Sequence, residues 1–401
     1  MDDHIVFFLG AGVSRPSGMP SVGDITRKVL DAPLVYTENK RYVFPESVES
    51  NPNIGLPRDT SEEHVDKVQG LINTIWEHAH TVLSQFGRPV TYEDLYSMCG
   101  QVVSDQEPRK LDTNPVEPAV RPFSEILEKE GLLLHDDENP WEDLFDTANE
   151  AQFLISGVVR ELLSDSPDHI QGLDPLLDAI DDPEVDRVTI VTLNHDLLLE
   201  QLLEQSLAEG ENGVVDGFER VKDGVRRYKP KLLFDVTAEV TLIKPHGSIN
   251  WYYGRGEDGH FSFSSIPPNP DQESFDLHPE PSILSGYRKE ENYTRRVFGD
   301  MVDAFLQALH DTSTVIESGF GWTDNGMYNH LHRYLNWNEQ NQLLLLHPED
   351  DFQLDEDSSD SFHPLDFTNS FRRPPEGLIR SLPKYLNCTC WAEMKAHIER
   401  S

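Results

Sequence analysis

The sequence predicts an α/β protein in which an open parallel sheet is interrupted by a large all-helical lobe. The chain opens with the β-branched and aromatic run at 5–9, then a glycine-rich turn and a helix, which is the start of a strand–helix sheet. Helical spacing follows for more than a hundred residues, and β-rich runs then return. We therefore predict a sheet domain at 1–59 and 185–401 and a helical lobe at 60–184.

Capping-box spacings mark the starts of the first predicted helices. A hydroxyl residue is followed by an acid three positions later in the pairs Ser21–Asp24, Thr60–Glu63 and Thr91–Asp94. The first of these helices should end near Leu30. Apolar residues at helical spacing predict one more lobe helix from about Trp141 to Leu163.

The predicted strands beyond the lobe are short apolar runs, each bounded by turn residues. They lie at 187–193, 240–243, 314–316 and 343–346, the last being the final strand that we expect. Helices are predicted from about Leu197 and near 297–309, and 251–253 could pair with 260–263 as a hairpin around 256–259. The acidic stretch at 350–360 is predicted to be a loop.

The formal net charge of −39 excludes a broad nucleic-acid-binding face. Asp and Glu number 72 against 33 Lys and Arg, and the acids are spread along the whole chain. Phosphate contact needs clusters of basic side chains. Such self-repulsion is relieved by salt, so adaptation to a salty cytoplasm is the simplest explanation of the charge. The alternative is an acidic surface for a basic partner.

No apolar run approaches the roughly 18–20 residues that cross a membrane, and the first residues lead straight into a strand instead of an export signal. We therefore expect a cytoplasmic protein without a membrane partner. The three cysteines, Cys99, Cys388 and Cys390, suit neither a disulfide framework nor a four-thiolate zinc site. We expect Cys388 and Cys390 to be buried on one face of a strand.

The segment GAGVSRPSGMP at 10–20 follows the first strand. Gly10 and Gly12 permit a sharp turn and a close approach to a phosphate or ribose, although a tight strand–helix turn would use them as well. The dinucleotide fingerprint G-x-G-x-x-G would require glycine where Arg15 stands. A redox enzyme of that type is therefore disfavoured.

Two further segments, TLNHD at 192–196 and KPHGSINW at 244–251, follow predicted strands. Asn194 could hold a ribose hydroxyl or a water, or simply form a turn. Asp196 could accept from a ligand or cap the next helix. His246 is placed as a general base near neutral pH, although a lone histidine is more often structural.

The fourth segment, SGFGWTD at 318–324, again combines glycines with an acid at a strand end. Asp324 could bind a ribose or cap the helix that begins near Asn325. Open parallel sheets bind ligands at the carboxyl ends of their strands, so all four segments are expected at one edge of the sheet.

In this order, the four segments resemble the motifs of the sirtuin-like family, and most closely its bacterial and archaeal branch in antiviral defence. The resemblance covers the Rossmann-like sheet and not the helical lobe. It implies that Asn194 and His246 form the catalytic pair and that Asp196 lies beside the nicotinamide end of NAD⁺. The other NAD⁺-binding residues that it implies are Gly10, Ala11, Gly12, Val13, Ser14, Gly319, Phe320 and Asp324.

The departures from the family argue against protein deacylation. Deacylating sirtuins carry a zinc ribbon with two Cys-x-x-Cys pairs, and this sequence has neither pair. They also have an Asp-Phe-Arg segment where Ser21-Val22-Gly23 stands. Glu317 and Ser318 replace residues that are usually apolar or glycine. No zinc is therefore expected.

The resemblance implies an NAD⁺ glycohydrolase that releases nicotinamide and ADP-ribose, or a cyclic product, with NAD⁺ as the substrate. Because uncontrolled loss of NAD⁺ is toxic, we expect control by a homo-oligomer or by a partner, for which the family suggests an ATPase of the HerA type. The alternatives are a non-catalytic sensor of NAD⁺ or ADP-ribose, a structural adaptor and, less favoured, a deacylase.

Overall fold

The computed structural model describes most of the chain. The described residues are 4–51, 54–87, 89–106, 129–132, 140–165, 167, 169–207, 214–222, 225–235, 237–255, 261–265, 276–277, 280–286, 293, 296–322, 324–347 and 379–398. The predicted hairpin turn at 256–259 and the predicted acidic loop at 350–360 lie outside them.

The strands and helices alternate as the α/β prediction requires. In chain order the strands are β1 (His4–Leu9), β2 (Val35–Tyr36), β3 (Tyr42–Val43), β4 (Arg187–Thr192), β5 (Phe218–Lys222), β6 (Val225–Tyr228), β7 (Val240–Ile243), β8 (Trp251–Arg255), β9 (Phe261–Ser265), β10 (Asp276–Leu277), β11 (Thr314–Ser318), β12 (Gln342–Leu346) and β13 (Ile379–Leu382). The helices are α1 (Val22–Asp31), α2 (Pro45–Ser50), α3 (Ser61–Leu83), α4 (Tyr92–Gln106), α5 (Pro140–Ser164), α6 (Asp174–Ile180), α7 (Leu198–Ser206), α8 (Arg296–Asp311), α9 (Asn325–Trp337) and α10 (Trp391–Ile398).

A six-stranded parallel sheet forms the centre of the molecule, in the order β13-β12-β11-β1-β4-β7. From β1 the chain builds outward through β4 and β7, and it then returns to build the other side from β11. This is the strand order of dinucleotide-binding Rossmann sheets, with a topological switch point between β1 and β11. The predicted Rossmann-like fold class is confirmed.

Helices cover both faces of this sheet, which explains why its central strands are apolar runs. On β1, Phe8 faces the apolar cluster that contains Phe305 of α8, and Phe7 faces the cluster that contains Trp391 of α10. Both phenylalanines are fully buried. Burial of one such side chain contributes about 1.5–3 kcal/mol, so β1 is a main source of stability.

The long helices α3, α4 and α5 pack together as a helical layer with its own apolar cluster, consistent with the predicted insertion. Ile25 and Val29 of α1 belong to the same cluster, although they precede residue 60. Helix α1 therefore joins the lobe to the first strand of the sheet. The domain boundaries at 59 and 184 remain predictions.

A second, antiparallel sheet has the order β10-β8-β9-β6-β5. Its strands β8 and β9 are the predicted hairpin strands. Their pairing begins with Trp251 opposite Ser265 and ends with Arg255 opposite Phe261. Phe218, Trp251 and Phe263 join the apolar cluster that contains α8. This sheet therefore packs on the same face of the central sheet as α8.

Three local predictions were wrong. Thr60 precedes α3, but its side chain makes no capping hydrogen bond, because Thr60 is outside the extended conformation that a capping side chain needs. Strand β13 follows the strand expected to be last. Cys388 and Cys390 are exposed, because Leu386 and Trp391 take the buried positions of that surface turn. The boxes at Ser21 and Thr91 form as predicted.

Within the described residues, no helix is both long and apolar enough to span a membrane.

Candidate functional site

The loops after β1 and β11 meet backbone to backbone at the switch point. The Gly12 N–H donates to the Gly319 carbonyl at 3.1 Å, and the Gly10 N–H donates to the Ser318 carbonyl at 2.9 Å. A Cβ on Gly12 would lie 2.7 Å from the Gly319 Cα, and Gly319 itself has a φ of +72°. The lack of side chains at these glycines thus lets the two loops pack together, and the expected approach of a ligand to them stays a prediction.

Asn194, Ser14 and Asp196 form a buried hydrogen-bonded cluster next to these glycines. The Asn194 Nδ2 donates to the Gly10 carbonyl at 3.1 Å and to the Ser14 Oγ at 2.9 Å. The Ser14 hydroxyl donates to the Asp196 Oδ2 at 2.8 Å. Each of the three residues is at most 8% exposed. Residues from two strand ends are thus held as one polar group.

The orientation of the Asn194 amide leaves its oxygen without a partner. A backbone carbonyl only accepts hydrogen bonds, so the NH₂ side of Asn194 must face Gly10. The Asn194 Oδ1 is then buried and has no hydrogen-bond partner among the described residues. Buried acceptors are nearly always satisfied in folded proteins, so an orphaned one at a switch point suits a ligand or a water.

Asp196 contacts both the next helix and Ser14, and its predicted role in ligand binding stays a prediction. Its Oδ1 accepts from the backbone N–H of Leu198 at 3.1 Å, in the first turn of α7, and its Oδ2 accepts from Ser14. The carboxylate therefore satisfies the first N–H of α7, whose N-cap is Leu197, and also anchors the site cluster.

His246, just past β7, belongs to a second buried group. Its Nε2 lies 2.8 Å from the Tyr293 hydroxyl and 3.0 Å from the Asp324 Oδ2. The Tyr293 hydroxyl donates to the same Oδ2 at 2.7 Å, and the Asp324 Oδ1 accepts from the Met327 N–H at the start of α9. The structure therefore brings His246, the predicted base, next to Asp324, a predicted NAD⁺-binding residue, and links them through Tyr293, which sequence reasoning missed.

Lys244 joins the loop after β4 to the loop after β7. Its buried ammonium donates to the Asp196 carbonyl at 2.5 Å, to the Glu200 Oε1 at 2.7 Å and to the Ser248 Oγ at 2.9 Å. The His195 and His246 rings lie 6.3 Å apart, centroid to centroid. The two polar groups are thus parts of one edge of the sheet.

The apolar side chains of the remaining predicted residues do not join either polar group. Phe320 packs into the core against Phe8 and Trp322, with ring centroids 5.1 and 5.0 Å away, so its side chain faces away from solvent. Val13 is likewise in an apolar cluster. Ala11 is exposed at the start of a short 3₁₀ turn.

Glu317, one of the departures from the family pattern, anchors the loop after β11. It is fully buried, its Oε1 accepts from the Phe320 N–H at 2.9 Å, and its Oε2 lies 2.7 Å from the His347 Nε2. Burial raises the pKa of Glu317, although His347 opposes the shift. His347 directly follows a strand, as His246 does. The same sequence pattern, a histidine just after an apolar run, could therefore have predicted it.

No three His, Cys, Asp or Glu side chains among the described residues are grouped to hold a metal ion.

No curated protein sequence matches the chain. Residues 188–365 match the family model described as a SIR2-like domain, a range that includes Asn194, His246 and Asp324 but not β1 or the helical lobe. Over this range the chain is similar to SIR2-like domains, which supports a sirtuin-like family and suggests NAD-dependent activity in general.

Proposed function

We propose that the chain is an NAD⁺ glycohydrolase, which cleaves the nicotinamide–ribose bond and releases nicotinamide and ADP-ribose. The family match supports NAD-dependent activity in general. The observation that carries the finer proposal is the buried, unpartnered Oδ1 of Asn194, whose amide is bonded to Gly10 beside the switch point. This acceptor fits a ribose hydroxyl or an attacking water.

Cleavage of the nicotinamide–ribose bond needs little acid–base catalysis from the protein. Nicotinamide in NAD⁺ is a cationic leaving group, so the C1′–N bond can break with its electron pair moving to the ring nitrogen and no acid is required. The ribose is left with an oxocarbenium-like centre, as in other glycosyl transfers. A water oxygen then bonds to C1′ and releases one proton.

The site residues have distinct tasks in this scheme. The Asn194 oxygen accepts a hydrogen bond from the water or the ribose, and thereby orients the reacting groups. The Asp196 carboxylate, held by Ser14, supplies negative charge near the developing cation. His246 takes the proton released by the water, directly or through a ribose hydroxyl. Burial of these side chains excludes competing nucleophiles.

The proposal includes a gated role in antiviral defence in the cytoplasm. A homo-oligomer or an ATPase of the HerA type would supply the gate. Support for this part comes from the motif resemblance, and the net charge of −39 would suit a basic docking face on a partner.

The test is NAD⁺ consumption by the purified protein, in low salt and in molar salt, with the products separated by chromatography. We expect equal amounts of nicotinamide and ADP-ribose from the wild type, and loss of both in Asn194→Ala and His246→Ala. Asn341→Ala is the matched control, because Asn341 is also buried and also donates to a backbone carbonyl, but at the opposite end of the sheet.

Each other outcome has a definite meaning. NAD⁺ binding without turnover, in either salt, would favour the non-catalytic sensor. Full turnover in folded His246→Ala and Asn194→Ala proteins would refute the assigned roles. If the folded wild-type protein shows no NAD⁺ binding and no turnover, the proposal is contradicted altogether.

A further inference from the structure

Tyr293 contacts both His246 and Asp324 through its side-chain hydroxyl. Its oxygen lies 2.8 Å from the His246 Nε2 and 2.7 Å from the Asp324 Oδ2. Tyr293 is 6% exposed, and the side chains of His246 and Asp324 are 4% and 8% exposed. The position of the protons in this buried group therefore determines which nitrogen of His246 can act as a base.

The hydrogen-bond geometry places a proton on Nε2. A tyrosine hydroxyl has one proton, and here that proton is donated to the Asp324 carboxylate. Toward His246 the same oxygen must accept, which requires an N–H at Nε2. The 3.0 Å contact between Nε2 and the Asp324 Oδ2 requires the same proton, because a carboxylate only accepts.

We propose that Tyr293 is a positioning residue, which together with Asp324 holds the imidazole of His246 in its Nε2-protonated form. In the neutral ring of this tautomer, the basic lone pair is on Nδ1. Proton uptake in the proposed reaction then occurs at Nδ1, while Tyr293 and Asp324 stabilise the imidazolium that results. This inference rests on the proposed function and assigns the proton acceptor within it.

Packing around Tyr293 supports a role in fixing the ring. The Tyr293 and His246 rings are nearly parallel, with an interplanar angle of 15° and centroids 6.0 Å apart. A Cβ on Gly326, in the first turn of α9, would lie 2.5 Å from the Tyr293 Cε2. The absence of a side chain at Gly326 thus makes room for the Tyr293 ring against the helix.

The first experiment reads the tautomer directly and needs no turnover. Protein labelled with ¹⁵N-histidine is examined by NMR, and the His246 signals are identified by their loss in His246→Gln. We expect a protonated Nε2 and an imine-like Nδ1 in the neutral ring of the wild type. A proton on Nδ1 with an imine-like Nε2 would overturn the proposal.

The second experiment measures nicotinamide release by Tyr293→Phe and Gly326→Ala. Because misplacement of a reacting group typically costs about 10- to 100-fold, we expect kcat to fall by about that factor in both variants, with KM for NAD⁺ little changed. Gly326→Ala keeps the hydroxyl but displaces the ring, so it tests position independently. Tyr228→Phe is the control, since it removes a similar tyrosine–aspartate bond, to Asp300, elsewhere.

Wild-type kcat in folded Tyr293→Phe would refute the positioning role, whichever nitrogen of His246 carries the proton. Absence of nicotinamide release from the wild type would instead contradict the proposed function, and the NMR result would then decide the tautomer assignment alone.

Discussion

Buried polar groups are organised differently in the helical lobe and at the carboxyl edge of the sheet. In the lobe, the guanidinium of Arg160 on α5 is 2% exposed and binds the Glu280 carboxylate and the Tyr42 carbonyl. Arg41 is buried close by. At the sheet edge, Asn194 is a neutral amide whose oxygen has no partner among the described residues.

The difference separates a structural cluster from a candidate functional one. Burial raises the pKa of Glu280 to about 7, even though Arg160 and Arg41 oppose the shift, so this carboxylate depends on its cationic neighbours. A charge pair of this kind ties α5 to the segment at 280 and to β3. In the Asn194 cluster, the amide oxygen without a partner among the described residues adds nothing to stability and suits a ligand.

The largest expected effect is the loss of stability in Arg160→Met. Removing one partner leaves the Glu280 charge buried, which costs about 3–5 kcal/mol in the free energy of unfolding. The control is Arg27→Met, because the Arg27 side chain is 70% exposed and its ion pair with Asp24 should contribute at most about 1 kcal/mol. Denaturant unfolding measures both, and equal losses would contradict the structural reading of the lobe cluster.

An intermediate loss of stability is expected where the loops after β1 and β11 meet. Gly319→Ala places a Cβ 2.8 Å from the Val13 nitrogen at a position with φ of +72°, so we expect a cost of about 1–3 kcal/mol and reduced turnover. Gly321→Ala, two residues along the same loop, meets nothing within 4 Å and should be nearly neutral. Equal melting temperatures for the two variants would show that the loop contact is dispensable.

The smallest effect concerns the pH dependence of stability. Because burial raises the folded-state pKa of Glu317 above its ordinary value of 4.5, the contribution of Glu317 to stability is present below that pH and is lost as the pH rises toward the folded pKa. The stability of Glu317→Gln relative to the wild type should therefore increase from about pH 5 upward. Glu339→Gln, at an exposed acid, is the control, and a constant difference for Glu317→Gln would refute the effect.

The central sheet was predictable because its buried parallel strands are continuous apolar runs, as in β1 and β12. Asn194 and His246 were predictable from the same pattern, since each lies directly after an apolar run. Strand β13 was missed because Arg380 and Ser381 interrupt its pattern, which a strand at the edge of a sheet tolerates.

Tyr293 was not predictable, because it reaches His246 across 47 residues and Asp324 across 31. No periodic pattern around it marks a position in the fold. The position of the Phe320 side chain was not predictable either. Its place in a ligand-binding motif did not indicate that the side chain packs against Phe8 in the core.

The most direct test of the comparison is to measure nicotinamide release by Asn194→Ala and Arg160→Met side by side, at a temperature where both are folded. Loss of a preorganised polar group typically costs about 10²- to 10³-fold in kcat, so Asn194→Ala should be folded and nearly inactive. Arg160→Met should be less stable and yet release nicotinamide at close to the wild-type rate. Wild-type turnover by folded Asn194→Ala would contradict the assignment of the site.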